Sequence, residues 1–249
     1  MNKYYYDLHI HSCLSPCADN DMTPNNIAGM ASLNGLNVVA LTDHNTTENC
    51  PAFFKACRRY GLIPVAGMEA TTAEDIHIVC LFETLEDAMA FNVEYQTHRI
   101  LYKNKAEIFG DQLIMNEDDE VIGDEEHLLL NASDLGIAEL TELVAAHGGA
   151  AFPAHIDRDE NGIIAALGCV PEEDNFTCVE FRSSENIEEY TRTYGLEGMT
   201  VLTDSDAHYL WDINEAEHYV MLEDEPYSSQ TVRSRLIEMI RGGKTGDTV

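Results

Sequence analysis

The chain has 249 residues, 45% of them apolar and 24% charged, which is enough for one large domain with its own core. Its 45 acidic and 14 basic side chains give a formal charge of −31, and so acidic a surface repels nucleic-acid backbones and anionic membranes. We therefore expect neither a long nucleic acid nor a membrane as a partner, and no apolar run is long enough to span a bilayer.

The start of the chain and its cysteines indicate a cytoplasmic protein. The N-terminal apolar stretch is too short for a signal peptide, and Asp7 interrupts it. Seven cysteines at scattered spacings are typical of reduced thiols rather than of a disulfide framework.

Short runs rich in β-branched residues alternate with helical stretches, which predicts an α/β fold. The predicted strands are Tyr5–Ile10, Asn37–Leu41, Ile63–Ala66, Ile76–Phe82, Ala150–Pro153, Cys178–Phe181 and Met199–Leu202. Seven strand–helix units favour a closed or nearly closed parallel barrel. A doubly wound open sheet is the alternative, but it would carry a phosphate-binding glycine motif after its first strand, where His11-Ser12-Cys13 stand instead.

The predicted helices rest on start and stop signals. Thr23 followed by Pro24 is an N-cap and first-turn pair, and Gly61 is a typical left-handed C-cap. The predicted helices run from Thr23 toward Asn34, over Glu48–Tyr60, Leu85–Lys105 and Ser133–His147, and from Ser228 or Ser229 to about Arg241.

Residues 106–132 differ in composition and patterning from the rest of the chain. They contain two acidic runs, at 116–120 and 124–126, with little periodicity, which predicts a solvated loop or a small acidic insertion. A lid over the active site is the alternative. We expect residues 1–249 to form a single barrel domain with this insertion and with a strand–helix extension at about 216–249.

Histidines and carboxylates recur on or just after the predicted strands. Residues two apart on a strand face the same side, as His9 and His11 do, and barrel enzymes keep their active sites at the C-terminal ends of strands. The other residues in such positions are His44, Glu69, His77, His155, Asp206 and His208. One such histidine is usually structural, but this number on separate strands indicates a metal cluster. The remaining histidines, His98, His127, His147 and His218, look structural or exposed.

These motifs resemble those of the polymerase and histidinol phosphatase (PHP) family. They are His9-Ile10-His11, Thr42-Asp43-His44, Gly67-Met68-Glu69, His77, Ala154-His155 and Ser205-Asp206-Ala207-His208, and they follow the family's order. The resemblance implies a distorted seven-stranded (β/α)7 barrel, hydrolysis of phosphate esters, and two or three divalent metal ions, commonly zinc, manganese or iron.

The resemblance also implies a set of ligands for each metal. The first metal takes His9, His11, Glu69 and Asp206, and the second takes Glu69, His77 and His155, so that Glu69 bridges the two. The third takes Asp19, His44 and His208. Asp21 is a rival to Asp19 in the same loop. By their position near the first histidines, Cys13 and Cys17 are candidate extra ligands, but the preferred interpretation is that a free cysteine packs as a small buried hydrophobe.

The expected mechanism uses a water shared by two metal ions, which loses a proton near neutral pH and becomes a bridging hydroxide nucleophile. Glu69 and Asp206 are thereby catalytic. Arg158 and Arg182 follow predicted strands and are candidate clamps for a phosphoryl group. A surface ion pair with nearby acids is an equal alternative for each arginine.

A small phosphorylated metabolite or nucleotide is the expected substrate. Tyr209 and Trp211 are candidates for a shelf under a nucleobase, although helix packing is the expected role of Trp211. A non-catalytic or regulatory metal-binding domain is one alternative function. Another is an amidohydrolase-type enzyme, which commonly bridges its metals with a carboxylated lysine; none of Lys3, Lys55, Lys103, Lys105 and Lys244 lies on a mid-barrel strand.

Overall fold

The computed structural model describes residues 1–242 and 246–248; residues 243–245 and 249, which include Lys244 and part of the predicted C-terminal extension, lie outside them. The strands are β1 Asn2–Asp7, β2 Val38–Leu41, β3 Ile63–Thr71, β4 His77–Phe82, β5 Leu113–Met115, β6 Val121–Asp124, β7 Gly149–Pro153, β8 Cys178–Phe181, β9 Thr200–Thr203, β10 Tyr219–Leu222 and β11 Gly246–Thr248. The helices are α1 Pro24–Leu33, α2 Cys50–Tyr60, α3 Leu85–Tyr95, α4 Ala106–Phe109, α5 Ile137–Ala146, α6 Ile163–Leu167, α7 Ile187–Tyr194 and α8 Ser229–Ile240.

The predicted α/β barrel is confirmed in a distorted form. Strands β1, β2, β3, β4, β7, β8 and β9 correspond to the seven predicted strands; the first five are hydrogen-bonded in that order, and β8 and β9 form a separate parallel pair. Beyond β9, Ala207 pairs with Ile10 in a parallel bridge. Near β7, the Ile156 N–H donates to the Glu180 carbonyl of β8 (2.9 Å). The sheet therefore curls toward closure.

The expectation that all barrel strands are parallel is wrong for β4, which runs antiparallel to both β3 and β7. A parallel connection needs a crossover of about a dozen residues or more, whereas only a short turn separates Thr71 from His77. In that turn Asp75 has a positive φ of 63°, and the Thr72 N–H donates to the Ile76 carbonyl (2.9 Å). The start of β4 therefore lies at the same mouth of the barrel as the ends of its neighbours.

Most of the predicted helices are present, but their bounds differ. Asn26 N–H donates to the predicted cap Thr23 (3.3 Å), and Gly61 ends α2 with a φ of 74°. The predicted helix Leu85–Lys105 is wrong beyond Tyr95, because a short turn over Gln96–His98 leads into extended backbone at Arg99. There the Arg99 guanidinium donates to the His127 carbonyl (2.9 Å), a contact that sequence periodicity does not predict.

Among the described residues, no helix is long and apolar enough to cross a membrane.

The acidic segment at 106–132 contains α4 and the β5–β6 hairpin, which is bonded to the barrel. Leu113 N–H donates to the Cys13 carbonyl (3.0 Å), and Met115 N–H donates to the Asn49 side chain (2.9 Å). At Gly110 a Cβ would lie only 2.0 Å from the Pro16 carbonyl oxygen. This segment therefore packs closely against the loop that follows β1.

Strand β3 runs from the apolar core to the barrel mouth. Its alternate residues Ile63 and Val65 belong to a buried apolar cluster that also includes Leu236 and Ile237 of α8. Glu69 continues the same face of the strand, since side chains alternate with period two. All nine residues of β3 are buried. The Glu69 carboxylate therefore lies next to the apolar core, on the side of the barrel mouth.

We expect Gly67→Ala to lower the free energy of unfolding by about 1–3 kcal/mol, as overpacking typically does. A Cβ at Gly67 would lie 2.7 Å from Leu81 Cδ2 and 2.8 Å from the Cys80 carbonyl oxygen. The measurement is a urea-unfolding curve. In the control Gly29→Ala the new Cβ lies 3.4 Å from the Tyr60 hydroxyl, so stability should stay the same or rise slightly, because alanine favours helices. Unchanged stability of Gly67→Ala would contradict the close approach of β3 and β4.

Candidate metal centre

Side chains from six strand ends or starts converge at the mouth of the barrel. His9 and His11 follow β1, His44 follows β2, and Glu69 lies within β3, where the predicted strand end at Ala66 was too early. His77 begins β4, and its antiparallel direction brings it to the same mouth. The chain after β7 and β9 supplies the remaining members, which are His155, Asp206 and His208.

Glu69 lies at the centre of this group, and its side chain is 1% exposed. Its Oε1 lies 2.7 Å from His77 Nδ1 and 3.0 Å from His155 Nε2. Its Oε2 lies 2.8 Å from His44 Nδ1 and 3.3 Å from His11 Nε2. The two oxygens of one carboxylate therefore face two different sets of imidazoles, the arrangement that a bridging ligand requires.

Asp206 divides its oxygens between imidazoles and arginines. Its Oδ1 lies 3.2 Å from His11 Nε2 and 3.6 Å from His9 Nε2. Its Oδ2 accepts a hydrogen bond from Arg158 Nη1 (2.7 Å) and lies 3.9 Å from Arg182 Nη1. Both candidate phosphate-binding arginines thus stand at the barrel mouth, beside a member of the cluster.

Three groups of described residues hold their ligand atoms within 4.8 Å of one another. They are His9, His11, Glu69 and Asp206; His44, Glu69 and His77; and His11, His44 and His208. The first group has the composition expected for the first metal. In the second, His44 joins Glu69 and His77; His155 is not in this group, although it contacts Glu69 Oε1, the oxygen that also faces His77. In the third, His11 occurs with His44 and His208, and neither Asp19 nor Cys17 is among them.

The chemistry of this donor set fits divalent cations. Buried polar atoms without a hydrogen-bond partner among the described residues include His44 Nδ1, His77 Nδ1, His155 Nδ1 and Glu69 Oε2. Such unpaired atoms cost about 1–3 kcal/mol each. His155 Nε2 has hydrogen-bond geometry to Glu69 Oε1 (3.0 Å), but His44 Nδ1 and His77 Nδ1 approach Glu69 without it. Imidazole nitrogens and carboxylate oxygens that converge in this way suit zinc, manganese or iron.

The electrostatics of the cluster keep its carboxylates ionised. Burial on its own raises the pKa of Glu69, but the neighbouring His77, His9 and His44 outweigh it and hold that pKa well below the usual range. Burial lowers the pKa of His9, and the carboxylates of Glu180 and Glu69 more than reverse this, raising it well above its ordinary value. Anionic ligands are therefore available at neutral pH, and a cation entering the cluster competes with imidazole protons.

Two buried acids that sequence analysis missed orient the histidines. His9 Nδ1–H donates to both oxygens of Glu180 (3.0 Å each), which leaves His9 Nε2 to face the cluster. Glu180 also accepts from the His155 backbone N–H (2.9 Å). Asp43 accepts from the Ser15 hydroxyl (2.7 Å), and Ser15 Oγ lies 3.0 Å from His11 Nδ1. The sequence did contain one signal for Glu180, because it is an acidic residue inside the otherwise apolar predicted strand Cys178–Phe181.

The loop after His11 differs from the predicted arrangement. The Asp19 carboxylate accepts from the Asp21 backbone N–H (2.8 Å), and Asp19 N–H donates to the His208 carbonyl (2.9 Å). Cys17 instead extends toward the cluster, with Sγ 3.2 Å from His208 Nε2. Although partial burial of the thiol raises its pKa, His44 and His208 lower it to about 5.

The remaining aromatic and histidine candidates lie outside the cluster. Tyr209 and Trp211 stack on each other with centroids 4.9 Å apart and an interplanar angle of 16°. The expected helix packing of Trp211 is wrong, since its side chain is 76% exposed. His98 pairs with Asp134, and His147 pairs with Glu94.

Known proteins resemble this chain in sequence and in fold. A 5'-3' exoribonuclease from Haemophilus influenzae is 32% identical over 112 residues, which are 43% of this chain and 39% of that protein. The crystal structure of a lesion-specific endonuclease, EndoQ from Pyrococcus furiosus, superposes with a TM-score of 0.65 at 17% identity, over 99% of this chain and 58% of that one. A proposed metal-dependent phosphoesterase from Bifidobacterium adolescentis superposes with a TM-score of 0.58 at 17% identity, over 93% and 95% of the two chains.

The chain therefore spans less than two thirds of the exoribonuclease and of the endonuclease, and at these identities the two superpositions establish the fold alone. The family comparison covers more of the chain than the exoribonuclease match does. The PHP domain matches residues 7–201, a range that contains every member of the cluster except Asp206 and His208. On this match, this chain belongs to the PHP domain family.

Proposed function

We propose that this protein is a metal-dependent phosphoesterase that binds two or three divalent ions, of zinc, manganese or iron, in the cluster around Glu69. The observation that carries the proposal is the division of the two Glu69 oxygens between His77 and His155 on one side and His44 and His11 on the other. In the proposed assignment, His9, His11, Glu69 and Asp206 hold one ion, and Glu69, His77 and His155 hold a second. His44 and His208 belong to a third position.

Ions held there would lower the pKa of a water molecule and offset the charge that develops on the phosphoryl oxygens. The protein's own contribution is to fix the ligands. Glu180 holds the His9 ring so that Nε2 faces inward, and the buried cluster keeps Glu69 and Asp206 ionised. Because these donors are aligned before substrate arrives, little reorganisation is needed during the reaction.

Arg158 and Arg182 are the proposed clamps for the ester's phosphoryl group. They stand against the Asp206 oxygen that faces away from the imidazoles, and their side chains are 34% and 46% exposed. A chain with a formal charge of −31 needs local cations to attract an anion. A planar guanidinium suits this task, because it can bind two phosphoryl oxygens at once.

A small phosphorylated metabolite or a nucleotide is the proposed substrate. The exposed Tyr209–Trp211 pair directly follows His208 and offers a flat surface for a base. Two of the similar proteins are named as nucleases, so a diester in a nucleic acid is the rival substrate, and the acidic surface argues against it. The assay should therefore include p-nitrophenyl phosphate, bis-p-nitrophenyl phosphate and a single-stranded oligonucleotide.

The alternative functions make different demands. An amidohydrolase that bridges its metals with a carboxylated lysine would need a lysine in the cluster. Lys55 and Lys103 instead form surface ion pairs, and Lys3 lies over the Tyr219 ring. A non-catalytic metal-binding domain would bind the ions without turnover, so metal content measured together with ester hydrolysis separates it from the enzyme.

Replacing Glu69 by alanine should lower kcat/KM at least about 100-fold and reduce the bound metal per chain, because a shared ligand of two ions is lost. The measurements are elemental analysis and p-nitrophenyl phosphate hydrolysis on purified protein supplied with manganese or zinc. The exposed acid Glu74 lies in the β3–β4 turn, and Glu74→Ala should leave both values unchanged. Near-normal turnover in a folded Glu69→Ala protein would refute the proposed centre.

Replacing Arg158 by alanine should raise the KM for a phosphate ester about 10- to 100-fold, because a charge-assisted hydrogen bond contributes about 1.5–3 kcal/mol. Arg192→Ala is the matched control, since it removes the same charge from an exposed position on α7. Steady-state kinetics on both variants test the assignment. Equal KM values for Arg158→Ala and Arg192→Ala would leave the Arg158–Asp206 contact as a structural ion pair.

Replacing Trp211 by alanine should raise the KM for a nucleoside monophosphate about 5- to 100-fold, because stacking on a base contributes about 1–3 kcal/mol. The KM for glycerol phosphate, which has no ring, should stay the same. Tyr227→Ala removes another exposed aromatic side chain (64% exposed) and serves as the control. A parallel change for both substrates would contradict a base-stacking role.

A further inference from the structure

The loop between His11 and Met22 brings a sulfur atom to the rim of the cluster. Cys17 Sγ lies 3.2 Å from His208 Nε2, and the ligand atoms of His208 and His44 lie within 4.8 Å of each other. We infer that Cys17, rather than Asp19, is the ligand that this loop supplies to a third divalent ion, together with His44 and His208. The inference rests on the proposed metal-dependent function and specifies one of its ligands.

The orientation of His208 favours a metal ligand. Its Nδ1–H donates to the Asp206 backbone carbonyl (2.8 Å), so Nε2 carries the lone pair and points at the sulfur. A ligating histidine in proteins is usually fixed in this way through its other ring nitrogen.

The buried His44 is a second, independent observation. Its side chain is 6% exposed, and its Nδ1 faces Glu69 Oε2 at 2.8 Å without a hydrogen-bond partner among the described residues. The ligand atoms of His44, His208 and His11 lie within 4.8 Å of one another. Through its contact with His208, Cys17 therefore lies next to an existing set of imidazoles and is not an isolated thiol.

Asp19 is engaged elsewhere. Its carboxylate accepts from the Asp21 N–H (2.8 Å), and its own N–H anchors the loop to the His208 carbonyl (2.9 Å). The role of Asp19 is thus to hold the loop beside His208.

The rest of the loop is fixed so that Cys17 stays at the rim. Ala18 N–H donates to the Ser15 carbonyl (2.9 Å), which closes a turn around Pro16 and Cys17. Cys13 N–H donates to the Met22 carbonyl (2.8 Å) across the base of the loop. Gly110 of the acidic segment packs directly on Pro16. One function of that segment is therefore to hold the cysteine in register with His208.

A thiolate changes which metals suit this position. Sulfur with imidazole nitrogens is a typical donor set for zinc, and it also accepts iron, whereas manganese prefers oxygen donors. The third position should therefore select zinc or iron even where the Glu69 positions accept manganese.

The test compares the metal content of the wild-type protein and of three variants: Cys17→Ser, Asp19→Ala and Cys169→Ser. The probes are zinc, for stoichiometry by elemental analysis, and cobalt, for the thiolate-to-cobalt charge-transfer absorption in the near ultraviolet. We expect the wild-type protein to bind three ions per chain and to give this absorption with cobalt. Cys17→Ser should lose the absorption and one ion while keeping the other two. Asp19→Ala should keep both signals, as should Cys169→Ser, which alters the other exposed cysteine.

Loss of one ion in Asp19→Ala but not in Cys17→Ser would overturn the inference. Two ions per wild-type chain, or three without the charge-transfer absorption, would do the same and would leave the phosphoesterase proposal standing. A wild-type protein that binds no ion and hydrolyses no ester would refute both. Alkylation of Cys17 by iodoacetamide gives a further readout, since bound zinc should protect Cys17 and leave Cys169 reactive.

Discussion

The negative charge of Glu69 lies where almost no solvent reaches it, and the surrounding structure compensates it. An isolated carboxylate at such a depth would be protonated, but His77, His155 and His44 approach its two oxygens to within 3.0 Å. A buried charge of this kind contributes little to stability by itself. Its consequence is geometric: because one anion is shared by several imidazoles, every strand that carries one of them must end or begin at the same level of the barrel.

Much of this arrangement follows from the sequence. Strand-end histidines can be read from apolar runs that stop at a polar residue, and the seven barrel strands were predicted by the same pattern. The direction of β4 could not be read in this way, because an apolar strand looks the same in either direction. His77 joins the cluster only because a short turn reverses the chain after Thr71. The sequence pattern marked His77 as a histidine on a strand, but it did not contain the turn that brings His77 to the other members of the cluster.

Other parts of the site leave a weaker trace in the sequence. Glu180 and Asp43 are ordinary acids in a chain that has 45 acidic residues, and only burial distinguishes them from the solvated majority. Loop geometry is equally hard to read, since Cys17, Asp19 and Asp21 lie within five positions and a turn decides which side chain reaches His208. Long-range contacts are also hard to read from the sequence. Periodicity predicted a helix from Leu85 to Lys105, whereas α3 ends at Tyr95 and Arg99 contacts the distant His127 carbonyl.

Backbone strain at the barrel mouth has the same origin as the convergence on Glu69. His155 and Asp206 have φ values of 28° and 50°, a region that costs side-chain-bearing residues about 1–3 kcal/mol. Each is held there by neighbours: Glu180 accepts the His155 N–H, and Ala207, next to Asp206, is bonded to both His9 and His11 through the backbone. A relaxed backbone would turn these side chains away from the cluster. Directing these two candidate ligands toward Glu69 therefore lowers the stability of the fold. Glu180 contacts both His9 and His155, and it thus links one of these strained residues to another histidine of the cluster.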